Sequence, residues 1–219
     1  QANPNSSDAK SNRGLQLLGT VDKWINKPDL DTLSSSVAAL VEAARLLPEE
    51  KFDLVRMRIN YVIQNQSRSP VFGQFRAKVF EHPELPVLLM EHFGALAAAM
   101  GEWAVADEVL GRVVEMDPKL ASAWNNRAHA INNGFSDRRQ EALTYANRAV
   151  ELLEGSPDIR ETRGMIYFNL ERWEDAIADL EIAANGVQDL ESVHRSLAVC
   201  YQKTGRPELA EVYRRQVKE

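Results

Sequence analysis

The sequence predicts an all-α protein built from repeated helix hairpins, and three observations support this prediction. Residues 101–110, GEWAVADEVL, have an echo seventy positions later in residues 171–180, ERWEDAIADL. Small residues recur at a nearly constant interval along the chain. The segments between them carry apolar side chains at helical spacing and end in turn-forming residues.

The echo extends beyond the two ten-letter blocks. Gly94 precedes Ala106 by the same interval at which Gly164 precedes Ala176. The interval from Gly94 to the small residue Ala128, counted forward from Gly164, gives another small residue, Ala198. Internal repeats with a period of roughly 20 to 50 residues indicate a stacked array of similar units. The echo is therefore interpreted as two repeat units.

One irregularity in the period falls where a turn is expected. The interval from Ala106 to Ala142 is longer by two positions than the interval from Gly94 to Ala128. The two extra positions are placed in the turn-rich segment NNGFSD, residues 132–137. Turns tolerate insertions better than helices, so the irregularity agrees with a helix-turn-helix unit.

The clearest unit predicts one helix over residues 157–170 and a second over residues 173–184. Gly155 can adopt the left-handed conformation that ends the preceding helix, Ser156 can cap the next one, and Pro157 suits its first turn. Two antiparallel helices approach closely where side chains are small, which explains the recurring Gly and Ala positions.

These features resemble the tetratricopeptide repeat family over residues 87–219. The matching features are the small-residue position, the aromatic residue that opens the second helix, the Ala three positions later and the closing MDP at residues 116–118. The resemblance implies a right-handed α-α superhelix, a solenoid of helix hairpins. It divides the region into four hairpins, at residues 87–120, 121–156, 157–190 and 191–219.

Residues 15–86 match the repeat less well and are interpreted as degenerate repeats of the same stack. Pro48, Pro83 and Pro118 are evenly spaced, which favours that interpretation. A separate helical cap is the alternative. Residues 1–14 are polar and predict a tail or linker.

A polar tail is typical of a chain behind a removed signal peptide or a membrane anchor. It is equally typical of an arbitrary boundary within a longer protein. The sequence therefore leaves open both a cytoplasmic and an exported or membrane-tethered location. The last helix, within residues 207–219, carries Leu209, Ala210, Tyr213 and Val217 on one face, which predicts an inward face and a solvent-exposed outer side.

Composition argues against several classes of function. The chain has 219 residues and a formal net charge of −6, with no basic stripe to hold a phosphate backbone, so nucleic acid is not expected as a partner. No apolar run reaches the roughly 20 residues that span a bilayer, so no direct membrane insertion is expected. The one cysteine, Cys200, is expected to be a buried small apolar residue.

Catalytic chemistry is not expected either. The sequence shows no phosphate-binding loop and no HExxH motif, and its four His residues are dispersed. The carboxylates of WEDAIADLE alternate with apolar positions on one predicted helix, which is typical of a solvated face. We therefore expect no catalytic residue, no cofactor and no metal site, and not an enzyme.

The remaining candidate for function is the concave side of the solenoid, which helical repeats use to bind partners. The resemblance places the groove on the first helix of each hairpin. Asn is abundant there, and its carboxamide can bind the backbone of an extended peptide. A solvated surface or a helix end is the alternative interpretation of these Asn residues. The candidate groove residues are Glu91, Asn125, Asn126, His129, Asn132, Asn133, Asp158, Glu161, Thr162 and Arg195.

The expected function is a protein-interaction scaffold or adaptor that binds a protein or peptide segment. Family members that grip an acidic C-terminal chaperone tail use Lys, Arg and Asn, whereas the corresponding positions include Glu91, Asp158 and Thr162, and only Asn126 matches. An acidic tail is therefore not expected, and a neutral or basic internal segment is. The alternatives are a regulatory or docking domain of a longer, membrane-anchored or exported protein, and self-association through the ends of the stack.

Overall fold

The all-α class predicted from the sequence is confirmed. The computed structural model describes residues 6–65 and 69–217, and in these ranges the chain forms twelve α-helices and no β-strand. Short 3₁₀ segments, Glu49–Lys51 and Ser136–Arg138, precede two of the helices. The helices are α1 Ser7–Asn26, α2 Leu33–Leu46, α3 Phe52–Gln64, α4 Pro70–Phe80, α5 Val87–Ala99, α6 Trp103–Met116, α7 Ala121–Gly134, α8 Arg139–Leu152, α9 Pro157–Asn169, α10 Trp173–Ala183, α11 Leu190–Lys203 and α12 Pro207–Arg214.

The chain divides into two compact units, an N-terminal unit Gln1–Phe93 and a C-terminal unit Gly94–Glu219. The division falls inside α5. The domain boundary expected from the sequence, between residues 86 and 87, is the point at which α5 begins.

In the N-terminal unit, α1 packs against α2, and α3 packs against α4. The indole of Trp24 on α1 stacks on Phe75 of α4, with ring centroids 4.6 Å apart. Both rings are buried, so they tie the first helix to the fourth. Residues 15–86 therefore hold two helix pairs.

The structure corrects the predicted polar tail, residues 1–14, because α1 begins at Ser7. The Ser6 hydroxyl accepts a hydrogen bond from the backbone N–H of Ala9 at 3.2 Å, which caps the helix. Gly14 is buried, and a Cβ atom on it would lie 2.8 Å from Leu47 Cγ. This close approach holds the polar start of α1 against the end of α2. Residues 1–5 lie outside the described ranges.

In the C-terminal unit, successive helices pair as hairpins. The helix α7 packs against α8, α9 against α10, and α11 against α12. Each second helix also packs against the next first helix, as α8 does on α9 and α10 on α11. The first helices α7, α9 and α11 touch in turn. This is the packing of a solenoid of helix hairpins.

The small residues that defined the repeat lie inside the helix pairs. The four first-helix positions Gly94, Ala128, Gly164 and Ala198 are all buried. On the second helices, the side chains of Ala106, Ala142, Ala176 and Ala210 have no exposed surface. The register read from the sequence is therefore the register of the core.

A buried ion cluster joins three helices of the C-terminal unit. The Asp179 side chain on α10 is 3% exposed and pairs with two guanidinium groups of α9. Arg160 Nη1 lies 2.9 Å from Asp179 Oδ1, and Arg163 Nε lies 2.6 Å from Asp179 Oδ2. Arg163 also donates to Asn147 Oδ1 on α8, at 3.1 Å. The cluster therefore links one hairpin to the next.

The last helix, α12, buries fewer residues than its amphipathic sequence pattern predicts. Ala210 is buried and Tyr213 stacks on Tyr201, with ring centroids 5.6 Å apart. Leu209, however, is 43% exposed, and so the prediction that it lies on the inward face is wrong. The helix is short, and Ala210 is the buried residue within it.

Candidate partner-binding groove

A cavity of about 240 Å³ lies where the first helices of three successive hairpins adjoin. Its walls are α7, α9 and α11, all within the C-terminal unit. Polar side chains predominate in its lining, which consists of His129, Asn132, Asn133, Glu161, Thr162, Met165 and Ser192. Five of these seven belong to the candidate groove residues selected from the sequence.

Asn132 and Asn133, near the end of α7, have different environments. Asn132 is 5% exposed, and its Oδ1 accepts a hydrogen bond from Asn169 Nδ2 of α9 at 3.1 Å. Asn133 is exposed and donates to the carbonyl of His129 at 2.8 Å, one turn back on its own helix. Asn132 thus ties two first helices together, whereas Asn133 stays within its helix.

His129 lines the cavity from α7 with its ring against Trp103. The two ring centroids are 6.0 Å apart, in an edge-to-face arrangement. The residue has surface open to the cavity, but most of the space around its ring is filled by protein. This partial burial disfavours the charged form and lowers the pKa of the imidazole. The ring is therefore neutral at pH 7 and can donate from one nitrogen and accept at the other.

On α9, Thr162 and Glu161 are adjacent in sequence but differ in their hydrogen bonding. Thr162 is 9% exposed, and its hydroxyl donates to the carbonyl of Asp158 at 3.1 Å, which leaves its oxygen able to accept. Glu161 is half-buried, and burial raises its pKa, with smaller contributions from the Asp158 and Asp189 carboxylates. The α9 wall therefore offers acceptors rather than donors.

The α11 wall is polar and firmly held. The Asp189 side chain accepts from the backbone N–H of Ser192 at 3.1 Å and so caps α11. The Ser196 hydroxyl donates to the carbonyl of Ser192 at 3.0 Å, and it lies 3.4 Å from the Met165 sulfur. These contacts fix Ser192 and Met165 at the edge of the cavity.

Five candidate residues lie outside the cavity lining. Glu91 is on α5 in the N-terminal unit. Asn125 and Asn126 lie on α7, two turns before Asn132 and Asn133. The Asn125 Oδ1 atom is buried without a hydrogen-bond partner. Asp158 is exposed at the start of α9. Arg195 is exposed and pairs with Glu191 at 2.6 Å.

Two lining residues, Met165 and Ser192, are absent from the candidate set. Both occupy first-helix positions that the family resemblance assigns to the groove, so the resemblance contained the signal for them. The roles of Asp189 and Asn169 were harder to anticipate. Asp189 precedes α11 as its cap, and Asn169 acts on Asn132 from the neighbouring hairpin.

Cys200 and His92 are side chains of types that often act in catalysis, and both lie outside the cavity lining. Cys200 is buried, and burial raises the pKa of its thiol to about 11. His92 Nε2 lies 2.9 Å from Asn60 Oδ1, which is an amide rather than a nucleophile. Within residues 6–65 and 69–217, no group of three or more His, Cys, Asp or Glu side chains is arranged to hold a metal ion. Among the described helices, none is both long and apolar enough to cross a membrane.

Comparison with known proteins identifies a fold rather than a family. No protein-family model matches the sequence, and no curated protein matches it. Solved structures of MamA do match. A crystal structure of MamA protein is 17% identical, with a TM-score of 0.54, over 85% of this chain and 90% of that chain.

Two further MamA structures have a similar fold. The fragment described as MamA 41-end from Desulfovibrio magneticus RS-1 is 14% identical, with a TM-score of 0.58, over 72% of this chain and 89% of that one. A MamA structure designated MSR-1 is 19% identical, with a TM-score of 0.54, over 71% and 87%. This chain has a helical-repeat fold. The resemblance to tetratricopeptide repeats therefore holds at the level of helical-repeat architecture.

Proposed function

We propose that this protein is an interaction scaffold that binds an extended segment of a partner protein along α7, α9 and α11. The observation that carries the proposal is the polar cavity between these three helices. Extended concave surfaces of stacked hairpins are the usual binding sites of helical repeats. A binding role, rather than catalysis, agrees with the buried thiol of Cys200 and with the dispersed His residues.

The cavity lining suits a peptide backbone. A backbone carbonyl needs an N–H donor, which Asn132 and neutral His129 can supply, and a backbone N–H needs an acceptor, which Thr162 can supply. Met165 adds an apolar surface that adapts to different side chains. Net negative charge on the α9 wall favours a neutral or basic segment over an acidic one.

A display library of random linear peptides tests this proposal. Peptides recovered with the wild-type protein are measured by fluorescence anisotropy against Asn133→Trp, which places a bulky ring at an exposed position of the cavity lining. The matched control is Ala178→Trp, at an exposed position on α10 outside the lining. We expect Asn133→Trp to weaken binding by at least about tenfold and Ala178→Trp to leave it unchanged. Equal binding to both variants would overturn the groove assignment.

A further inference from the structure

One wall of the cavity carries negative charge that the protein does not balance. Glu161 is half-buried on α9, and the carboxylates of Asp158 and Asp189 add to the negative potential around it. Among the described residues, no Lys, Arg or His pairs with Glu161, and no cation acts to lower its pKa. A carboxylate held in this way is stabilised by any cation that enters the cavity.

An unused donor lies on the facing wall. Asn132 is 5% exposed and lines the same cavity from α7. Its Oδ1 is occupied by Asn169, but its amide N–H groups have no acceptor within residues 6–65 and 69–217. The amide nitrogen is not one of the fully buried unpaired atoms of the described residues, so it can be reached from the cavity. A ligand with a carbonyl oxygen would satisfy this donor.

We infer that the cavity is a specificity pocket for one Lys or Arg side chain of the bound segment. The cationic group pairs with Glu161, and the Asn132 amide donates to a backbone carbonyl of the same segment. This inference rests on the proposed function, in which the groove binds an extended peptide. The volume of about 240 Å³ equals that of about eight liquid waters at ~30 Å³ each, enough for a long side chain with some retained water.

The arrangement does not fit a metal ion instead. Divalent cations in proteins require several oxygen ligands converging at about 2.0–2.6 Å. In the part of the chain that the structure describes, Asp158, Glu161 and Asp189 do not form such a group. The Asp189 carboxylate is already engaged as the cap of α11. A side-chain cation, which needs one carboxylate and general negative potential, fits the geometry better.

Two capped tripeptides test the inference directly. One has Arg between two Ala residues, and the other has the neutral isostere citrulline at the same place. Both are titrated into isotopically labelled protein, and nuclear magnetic resonance follows the Glu161 carboxyl carbon and the Asn132 side-chain amide. We expect the Arg peptide to shift both signals and to bind at least about tenfold more tightly than the citrulline peptide.

Variants separate the pocket from general electrostatic attraction. Glu161→Gln should abolish the preference for Arg over citrulline, with the amide spectrum verifying the fold. The matched control is Glu191→Gln, which removes an exposed carboxylate from α11 and should retain the preference. Equal binding of the two peptides to the wild type, or signal changes confined to residues outside the cavity, would overturn the inference.

The failure of this inference differs from the failure of the proposed function. Library peptides whose binding is weakened by Asn133→Trp support the groove. If Glu161→Gln does not weaken the binding of those peptides, or if they contain no basic residue, the groove is retained and the basic pocket is overturned. If no peptide binds in the groove at all, both are overturned.

Discussion

Gly164 lies directly against Leu180, so that a Cβ atom on Gly164 would be 2.8 Å from Leu180 Cγ. Gly94 and Leu110 repeat the relationship two hairpins earlier, with a corresponding distance of 2.5 Å. In both pairs the glycine is on the first helix of a hairpin and the leucine is on the second, at the same spacing along the chain. The missing side chain is what allows the two helices to meet.

Gly164→Ala should therefore destabilise the protein although Ala favours helix. Overpacking costs about 1–3 kcal/mol, and the gain in helix propensity offsets about 1 kcal/mol of it, which leaves a net loss of up to about 2 kcal/mol. The matched control is Gly19→Ala on α1, where a Cβ atom meets nothing within 4 Å, and which should gain about 0.5–1 kcal/mol. Urea denaturation measures both. Stabilisation by both changes would contradict the close approach.

Asp179→Asn should cost about 3–5 kcal/mol of unfolding free energy. The substitution leaves Arg163 without its carboxylate partner and leaves Arg160 only the longer contact with exposed Glu154, at 3.6 Å. The two arginine side chains are 13% and 17% exposed, so the lost charge is costly. Thermal or chemical denaturation measures the loss.

The control for this change is Glu191→Gln, which removes an exposed ion pair with Arg195. Exposed pairs contribute about 0–1 kcal/mol, so little change is expected. If Asp179→Asn were as mild as Glu191→Gln, the cluster would contribute nothing to the stability of the stack.

Glu161→Gln should raise stability at pH 7 and have little effect near pH 4. Burial raises the pKa of Glu161 in the folded state above the unfolded value of about 4.3. The contribution of Glu161 to the free energy of unfolding is therefore fully present below about pH 4.3, where the side chain is protonated. It is lost as the pH rises through the folded-state pKa. Gln removes the cost of the buried charge. Melting curves of both proteins across this pH range check the sign, and a variant less stable at pH 7 than the wild type would contradict it.

A peptide with an acidic C-terminus should bind weakly, with a Kd above about 1 mM. The negative charge of Asp158 and Glu161 repels carboxylates along α9, and the Glu161 region is partly desolvated, which strengthens the repulsion. Isothermal calorimetry measures the affinity, with the same peptide amidated and its acidic residues changed to Gln as the control. Micromolar binding of the acidic form would refute the prediction.

The sequence predicted the helix pairs well where the repeat is regular. The expected helices at residues 157–170 and 173–184 correspond to α9 and α10, and Pro157 stands in the first turn as expected. The details of the boundary were less predictable. Gly155 is not in the left-handed region, and Ser156 makes no capping hydrogen bond. A left-handed glycine does occur at Gly205, with a φ of 74°.

The start of α1 and the coupling of Asn132 could not be read from local patterns. The start of α1 is polar in composition, so the helical spacing of its buried residues is not apparent from the sequence. Ser11, Gly14 and Leu18 are buried because α1 packs against α2. Asn132 lies on one hairpin and Asn169 on the next, so their hydrogen bond depends on how far apart the packing places the helices. Sequence periodicity reports which face of a helix is buried, but not which polar atoms meet across two hairpins.

The ion cluster around Asp179 predicts the order in which the helices of the C-terminal unit unfold. In a linear array each hairpin is stabilised by its neighbours, so melting proceeds inward from frayed ends unless an interface resists. Arg163 fastens α8, α9 and α10 to one another, whereas the ion pairs of the described part of α11 and α12 are exposed. In hydrogen exchange, the amides of the C-terminal hairpin, α11 and α12, should lose protection first. The amides of α10 should stay protected longer.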